Sequence, residues 1–232
     1  MAICDDGNMY NWGVGLYGVL GNGSNDYALT PVLNDDFVYQ RKIAQEDGSD
    51  FGFVKVSAAD DYTASVMQDG TLYVWGKNDH GQMGVGSGVG IDLVESENIP
   101  KEVELENALP EAEKADYPLA VDVSTGMRTM MVLDHKNRLF QTGLRIDWSP
   151  KFVKLNRDRI DGKIEMLGCG RNHYMFVDSG SNLHCFGNVF KSKAEEQYDG
   201  YAIFDCDEIF EGNKIKDLQV KYETFGVLAE EK

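Results

Sequence analysis

The sequence has few basic residues and no long apolar run. Its 232 residues include 22 Lys and Arg against 39 Asp and Glu, which gives a formal net charge of −17 at pH 7. Such an acidic chain is a poor candidate for direct binding to nucleic acid or to anionic membranes, because both need a positive face. No stretch approaches the roughly 18 consecutive apolar residues of a membrane helix, so no membrane span is predicted.

Cysteine is also scarce, and the first residues do not resemble a secretory signal. The four cysteines include no C-x-x-C pair and are few for a disulfide scaffold. The start at Met1–Asp6 has neither a basic nor an apolar signal region. We therefore expect an intracellular protein, in the cytoplasm or on its cytoskeletal structures, with free and mostly buried thiols.

Glycine is abundant, and it closes each copy of an internal repeat. The chain has 25 glycines but only five prolines, which favours tight turns over flexible linkers. The two clearest copies are GNMYNWG at 7–13 and GTLYVWG at 70–76, and weaker copies end at Gly143 and Gly187. Each copy is a short, aromatic-rich run bounded by turns, which predicts a strand.

Further apolar runs precede these copies, so each repeat holds several short strands. Val54–Ala59 and Thr63–Met67 precede the second copy, and equivalent runs precede the third and fourth. Short strands without a sustained helical period between them predict an all-β fold, and radial repetition points to a β-propeller of about four blades. The predicted single domain over 1–232 contains repeats at 2–33, 54–103, 120–153 and 164–188, and a half-repeat at 215–229.

The second repeat resembles the RCC1-like repeats of the regulator of chromosome condensation family. Val54–Ala59 followed by Asp69–Gly86 carries the family pattern, and Gly18–Gly23 followed by Thr30–Val32 repeats its tail in the first unit. The last two units have lost that tail.

The resemblance also assigns a signature position. The histidine of the family falls on His173, whereas Tyr62 and Thr129 replace it in the second and third copies. The resemblance implies a propeller of the seven-bladed type, of which this chain has about four units.

The number of units leaves three ring arrangements open. Residues 215–229 look like the first half of a repeat and residues 2–13 like the second half, so the termini could share one blade and close a small ring. The alternatives are a partial propeller completed by a partner chain, and a segment of a longer propeller. An open arc would expose two blade edges that are prone to strand addition.

Three insertions explain the uneven spacing of the repeats. They cover 34–52, 87–118 and 189–214, and the second is strongly acidic. Long loops on a rigid scaffold are frequent binding sites, so 34–52 and 87–118 are the candidate contact regions. The alternative is that these segments are solvated tethers.

Two sequence patterns invite a ligand but are better explained by the repeat. Gly13–Gly18 fits G-x-G-x-x-G, yet Gly21, Gly23 and Pro31 make the helix required after it improbable, which favours a turn between blades. Trp12, Trp75 and Trp148 could stack a ligand, but the first two belong to the repeat columns and are predicted to be packing residues.

No catalytic, cofactor-binding or metal site is predicted. Cys169, His173, His184 and Cys185 supply the ligand types that zinc prefers, but their spacing fits no common zinc motif and adjacent strand residues point to opposite faces. His80 beside Asp79 could act as a general base, but it lies in the family's repeat turn.

These observations lead to two hypotheses for function. The first is a non-catalytic scaffold for protein–protein interaction, serving as a structural subunit of a multi-subunit assembly. The second is guanine-nucleotide exchange on a small GTPase, which the resemblance implies and which needs no covalent chemistry.

Overall fold

The chain folds almost entirely into short antiparallel strands. The structure is a computed structural model and describes residues 1–49, 51–86, 96–143, 149–155, 160, 162–187, 202–222 and 224–230. Its strands are Ala2–Ile3 (β1), Met9–Gly13 (β2), Ala28–Leu33 (β3), Phe53–Ala58 (β4), Tyr62–Met67 (β5), Leu72–Lys77 (β6), Ser96–Val103 (β7), Ala120–Thr125 (β8), Thr129–Asp134 (β9), Leu139–Gly143 (β10), Ser149–Lys154 (β11), Ile164–Cys169 (β12), His173–Asp178 (β13), Asn182–Gly187 (β14), Ala202–Asp205 (β15), Ile215–Lys221 (β16) and Thr224–Ala229 (β17).

These strands form five sheets that follow one another along the chain. The first sheet is β1–β2–β3, and the second, third and fourth sheets are the four-stranded sets β4–β7, β8–β11 and β12–β15. The fifth sheet is the hairpin β16–β17. Each sheet packs mainly against the next one in the sequence, so the sheets form an arc of propeller blades. The predicted all-β propeller architecture is thus confirmed.

A shared irregularity shows that the fifth sheet is the first half of a repeat. The first strand of the second, third and fourth sheets shifts register against the second strand after its opening residue, at Phe53, Ala120 and Ile164. The β16–β17 hairpin has the same shift at Ile215. The hairpin therefore supplies strand positions one and two of a further blade.

An aspartate-based turn joins the second and third strands of each blade. Asp69 Oδ1 accepts a 2.9 Å hydrogen bond from the Thr71 N–H, and Asp178 Oδ1 accepts a 2.9 Å hydrogen bond from the Gly180 N–H. Asp134 Oδ1 accepts from the Arg138 N–H at 2.7 Å. An aspartate side chain that binds nearby backbone amides stabilises a tight turn, which explains why this residue type recurs there.

The core lies between the sheets. All six residues of β5, of β9 and of β13 are buried, because a blade in the middle of the arc is covered on both faces. The end of the arc differs, since four of the six residues of β17 are exposed, namely the run Thr224–Gly226 and Leu228.

The described strands at the two ends of the chain are not hydrogen-bonded to each other. The strand β1 pairs with β2 alone, and β17 pairs with β16 alone, among the strands that the structure describes. Of the three arrangements that the sequence left open, a blade shared by the termini is not formed by these hydrogen bonds, and the described strands form a partial propeller.

The segment 34–52, expected to be a loop, is mostly a helix. Asp35–Asp47 forms α1, which begins after Asn34, whose Oδ1 accepts from the Phe37 N–H at 3.3 Å, and ends at Gly48 with φ 74°. A capping asparagine and a left-handed glycine are standard helix ends. Repeat-based reasoning missed the helix because Phe37 is its one buried residue, too little to give an amphipathic period.

Each of the other two predicted insertions contains a strand of a blade. Within 87–118, residues 87–95 lie outside the described residues, Ser96–Val103 is a blade strand, and short 3₁₀ turns follow at Leu105–Ala108 and Glu111–Glu113. Within 189–214, the described part contains β15 and the single turn Cys206–Ile209 (α2). Trp148 also lies outside the described residues. No helix in the part of the chain that the structure describes is long and apolar enough to cross a membrane.

Candidate interaction face

The loops of the blades gather on two opposite faces of the arc. Because neighbouring strands are antiparallel, the turns between strands one and two lie on the same face as the loops between strands three and four. We call this the upper face; it includes residues 14–27, 59–61, 78–86, 126–128, 170–172 and Tyr222. The lower face carries the aspartate-based turns, the helix α1 and residues 104–119.

A charged cluster on the upper face is centred on Lys77, the last residue of β6. Its Nζ lies 3.0 Å from Asp79 Oδ2, 3.9 Å from Asp61 Oδ2 and 4.6 Å from the centroid of the Tyr17 ring. The hydrogen bond to Asp79 raises the pKa of Lys77. Burial works to raise the pKa of Asp79, but hydrogen bonds from His80 and Lys77 outweigh it and lower that pKa. Lys77 and Asp79 therefore form an ion pair across the physiological pH range.

The loop that presents Tyr17 also exposes two aliphatic side chains. Tyr17 has φ 61° within a 3₁₀ turn at Leu16–Gly18 and is 45% exposed, and Val14 and Leu16 are exposed beside it. Cations attract aromatic rings, so Lys77 fixes the Tyr17 ring without covering it. An exposed aromatic and aliphatic group bordered by charges has the composition of a protein-binding patch. Sequence reasoning missed this contact, because the path of the loop brings together residues far apart in sequence.

A second contact on the upper face joins distant blades. Tyr222 Oη lies in hydrogen-bonding distance of Asp60 Oδ1, at 3.2 Å, and the Tyr222 carbonyl oxygen accepts a 2.6 Å bond from the Arg171 N–H. The hydrogen bond to Asp60 raises the pKa of Tyr222. The inner turns of the second, fourth and fifth sheets thus converge near the centre of the arc.

His80 takes part in hydrogen bonds that stabilise the turn in which it lies. The ring Nδ1 of His80 lies 2.6 Å from Asp79 Oδ1, and the backbone N–H of His80 donates a 2.9 Å hydrogen bond to Gln82 Oε1. The next residue of the turn, Gly81, accepts a 2.8 Å bond at its carbonyl oxygen from Thr142 Oγ1 of the third sheet. The turn therefore joins neighbouring blades, in agreement with the repeat-turn interpretation.

The G-x-G-x-x-G segment is likewise a connection between blades. Gly13–Gly18 leads through the short 3₁₀ turn to β3, and the loop packs on the second sheet. A Cβ atom at Gly18 would lie 2.3 Å from the Cα atom of Asn98, and one at Gly21 would lie 2.7 Å from the Trp75 indole nitrogen. These glycines allow the backbone to approach the next blade closely.

The cysteine and histidine residues considered for zinc are distributed over separate environments. Phe176 stacks on His184 at 4.3 Å between ring centroids, whereas Cys185 packs into an apolar cluster on the opposite face of the same strand. Burial raises the pKa of Cys169 to about 12, which keeps this thiol protonated. No group of three or more potential metal ligands occurs among the residues that the structure describes.

Trp12 and Trp75, which occupy equivalent positions in the first and second repeats, differ in burial. Trp75 is fully buried, and its Nε1 donates a 3.0 Å hydrogen bond to the Val19 carbonyl oxygen of the preceding sheet. Trp12, in the same column of the first sheet, is 41% exposed. The prediction that both are packing residues is therefore correct for Trp75 and wrong for Trp12, because no described sheet precedes the one that holds Trp12.

On the lower face, residues 104–118 are docked rather than freely solvated. Leu105 and Leu109 are buried in the core between the second and third sheets. Glu113 Oε1 accepts a 2.7 Å hydrogen bond from Lys154 Nζ, which ties the segment to β11. A groove of about 550 Å³ runs beside it, bordered by polar and apolar groups.

The repeated blades, their glycine-closed strands and the contacts between columns define a propeller of the RCC1 type. The family model for the regulator of chromosome condensation (RCC1) repeat matches residues 6–66 and 69–133, and a second RCC1-repeat model matches 53–82. The chain therefore belongs to the RCC1 repeat family.

Similar proteins support the same fold. The ultraviolet-B receptor UVR8 of Arabidopsis thaliana is 26% identical over 200 residues, covering 80% of this chain and 38% of the receptor. Human WBSCR16 superposes with a TM-score of 0.72 at 14% identity, over 98% of this chain and 55% of that one. Prp20p of Saccharomyces cerevisiae superposes with a TM-score of 0.67 at 16% identity, over 98% of this chain and 53% of that one. The chain thus spans about half or less of these relatives.

Proposed function

We propose that this chain is a non-catalytic protein-interaction scaffold that acts inside the cell as a structural subunit of a larger assembly. The contact between Lys77 and Tyr17 is the observation that favours this function. It holds an exposed aromatic side chain beside Val14 and Leu16 on a rigid blade, in the way that interaction surfaces present their anchors.

The hydrogen bonds that polar side chains of the repeats make between blades support the same proposal. Tyr62, Thr129 and Thr142 each direct a hydroxyl to a backbone carbonyl of a neighbouring blade. These groups stabilise the arc and take no part in a reactive arrangement. What varies between the blades is the loops, which is where a scaffold would recognise its partners.

Affinity purification from the source cells, with mass spectrometry, tests the proposal. We expect a stoichiometric set of protein partners that is unchanged by excess GTP. Tyr17→Ala should reduce recovery of those partners at least tenfold, whereas Tyr39→Ala, an exposed tyrosine on α1 of the lower face, should not. Equal recovery with both variants would remove the upper face from the proposal.

A second candidate function is guanine-nucleotide exchange on a small GTPase. Its support is the superposition on Prp20p, whose structure was described together with its binding to Gsp1p and histones. An acidic chain complements basic patches on a partner. Sub-stoichiometric protein that accelerates the release of labelled GDP from a GTPase would favour this function over the scaffold, and no acceleration across a broad panel of GTPases would exclude it.

A further inference from the structure

A small cavity lies on the lower face, between the C-terminal end of α1 and the second sheet. Its volume is about 190 Å³. The side chains that line it include Ile43, Asp47, Ser49, Phe51, Asp69 and Tyr73. The two aspartates and Ser49 are exposed, so the cavity opens to solvent. Sites for small molecules usually have about 300–1,000 Å³, so a cavity of this size is better suited to a single side chain of a partner.

Aromatic and aliphatic side chains form the walls of the cavity. Phe51 and Tyr73 are partly buried, and the buried Phe37 ring packs against both, with centroid distances of 6.2 and 5.5 Å. Ile43 of α1 adds an aliphatic wall. Because Phe37 supports both rings from the core, the walls are in place before a ligand binds. They offer apolar surface to a methylene stem and aromatic rings to a cation.

The open side of the cavity is acidic and has no basic partner. Asp47 and Asp69 line the cavity, whereas no lysine or arginine does so among the residues that the structure describes. Neither carboxylate takes part in an ion pair within the described part of the chain. The arginine of α1 is directed elsewhere, since Arg41 Nη2 donates a 2.6 Å hydrogen bond to Asn8 Oδ1. The cavity therefore carries two uncompensated negative charges.

Two further features add to the negative field. The last turn of α1 contains no basic residue, and the C-terminal end of a helix carries a partial negative charge. Burial raises the pKa of Tyr73 to about 12, and the carboxylates of Glu102 and Asp69 raise it further. Nearby carboxylates that oppose ionisation of a phenol favour the binding of a cation in the same place.

We propose that this cavity binds an arginine side chain of a partner protein. The planar guanidinium forms paired hydrogen bonds with a carboxylate and stacks on aromatic rings, which a lysine ammonium cannot do. A net charge of −17 also favours a basic partner. The inference rests on the proposed scaffold function and gives it a second contact, on the face opposite the contact between Lys77 and Tyr17.

A titration followed by nuclear magnetic resonance tests the proposal with the full chain and the capped peptide Ala-Ala-Arg-Ala-Ala. The backbone amide signals of Ala44, Ser49 and Tyr73, which line the cavity, should shift as the peptide is added. The same peptide with citrulline has the shape of arginine without its charge. It should bind about fivefold more weakly, as expected when an ion pair and a cation–π contact are lost.

Substitutions on either side of the cavity locate the binding. Asp47→Asn and Asp69→Asn should each weaken binding of the arginine peptide about threefold. Glu46→Gln is the matched control, because it removes the same charge from the neighbouring exposed residue, which does not line the cavity. Tyr17→Ala should bind the peptide as the wild type does, so failure of this site and failure of the upper-face contact are measured separately. The same spectra verify that each variant is folded.

Several outcomes would overturn the proposal. They are equal binding of the arginine and citrulline peptides, equal weakening by Asp47→Asn and Glu46→Gln, shifts confined to residues outside the cavity, and no shift at millimolar peptide. A lysine peptide that binds as tightly would overturn the choice of arginine. Agmatine carries the same guanidinium on a free small molecule, and tighter binding of agmatine than of the peptide would assign the cavity to a small cation and not to a partner protein.

Discussion

Tyr62 and Thr129 occupy the same position in successive repeats, and they contact each other across the interface between blades. Tyr62 Oη donates a 2.6 Å hydrogen bond to the Thr129 carbonyl oxygen, and Thr129 Oγ1 donates a 2.8 Å bond to the Gly170 carbonyl oxygen of the next blade. The two side chains are buried. In the second and third sheets, the position that holds His173 in the fourth is thus used, with two different residue types, to connect a blade to the following one.

Tyr62→Phe should reduce the free energy of unfolding by about 0.5–1.5 kcal/mol, the usual contribution of one internal hydrogen bond. The loss should stay in this range because the Thr129 carbonyl oxygen keeps a 2.7 Å hydrogen bond from the Gly126 N–H. Urea unfolding measures the change, with Tyr39→Phe on the exposed face of α1 as the control. An equal effect in both variants would contradict a role for this hydroxyl.

Gly76→Ala should destabilise the protein more than Gly13→Ala, by at least about 1 kcal/mol. Both glycines close a repeat strand with positive φ, 106° and 112°, so both substitutions carry the same backbone strain. Only at Gly76 would the new Cβ collide with backbone, 2.5 Å from the Asp61 carbonyl oxygen and 2.6 Å from the Tyr62 Cα atom. Thermal unfolding of the two variants gives the comparison, and the reverse order would show that the repeat register is wrong.

Phe37→Ala should lower the free energy of unfolding by about 3–5 kcal/mol, as is typical of a buried aromatic side chain. The Phe37 ring packs edge-on against Phe53, Tyr73 and Trp75, with centroid distances of 4.9, 5.5 and 5.7 Å. Val38→Ala, the next residue on the helix and only partly buried, is the matched control and should have a smaller effect. If both variants unfold alike, α1 does not depend on this anchor.

The sequence predicted the blades well because each blade repeats the same local pattern. The aspartate turns, the glycine-closed strands and the buried second strands are all properties of a single repeat, so they could be inferred from four imperfect copies. The same logic failed for Trp12, since burial of that column depends on a neighbouring sheet and not on the repeat itself.

The candidate site was less predictable than the fold. The helix α1 rests on one buried phenylalanine, which gives no periodic signal. The contact between Lys77 and Tyr17 joins positions 60 residues apart through an irregular loop, and such contacts leave no local pattern in the sequence. Repeats therefore reveal the scaffold, whereas its surface depends on the loops that differ between repeats.

Asp178→Asn should make the stability of the protein less dependent on acid pH. The buried carboxylate of Asp178 lies 2.7 Å from His184 Nε2 and accepts the N–H groups of Gly180 and Asn182. Burial works to raise its pKa, but these hydrogen bonds outweigh burial and lower the pKa below its ordinary value. A lowered pKa in the folded state stabilises the protein above the unfolded pKa, and that stability is lost as the pH falls through the folded pKa.

At pH 7 we therefore expect Asp178→Asn to cost about 1.5–3 kcal/mol, because bonds to a charged group are lost. The difference from the wild type should shrink as the pH falls below about 4, the ordinary pKa of an aspartate in the unfolded chain, and on through the lower pKa of the folded state. Urea unfolding at several pH values measures both free energies, with Asp5→Asn, an exposed aspartate, as the control. A difference that stays constant between pH 7 and pH 3 would mean that the buried pair contributes by packing alone.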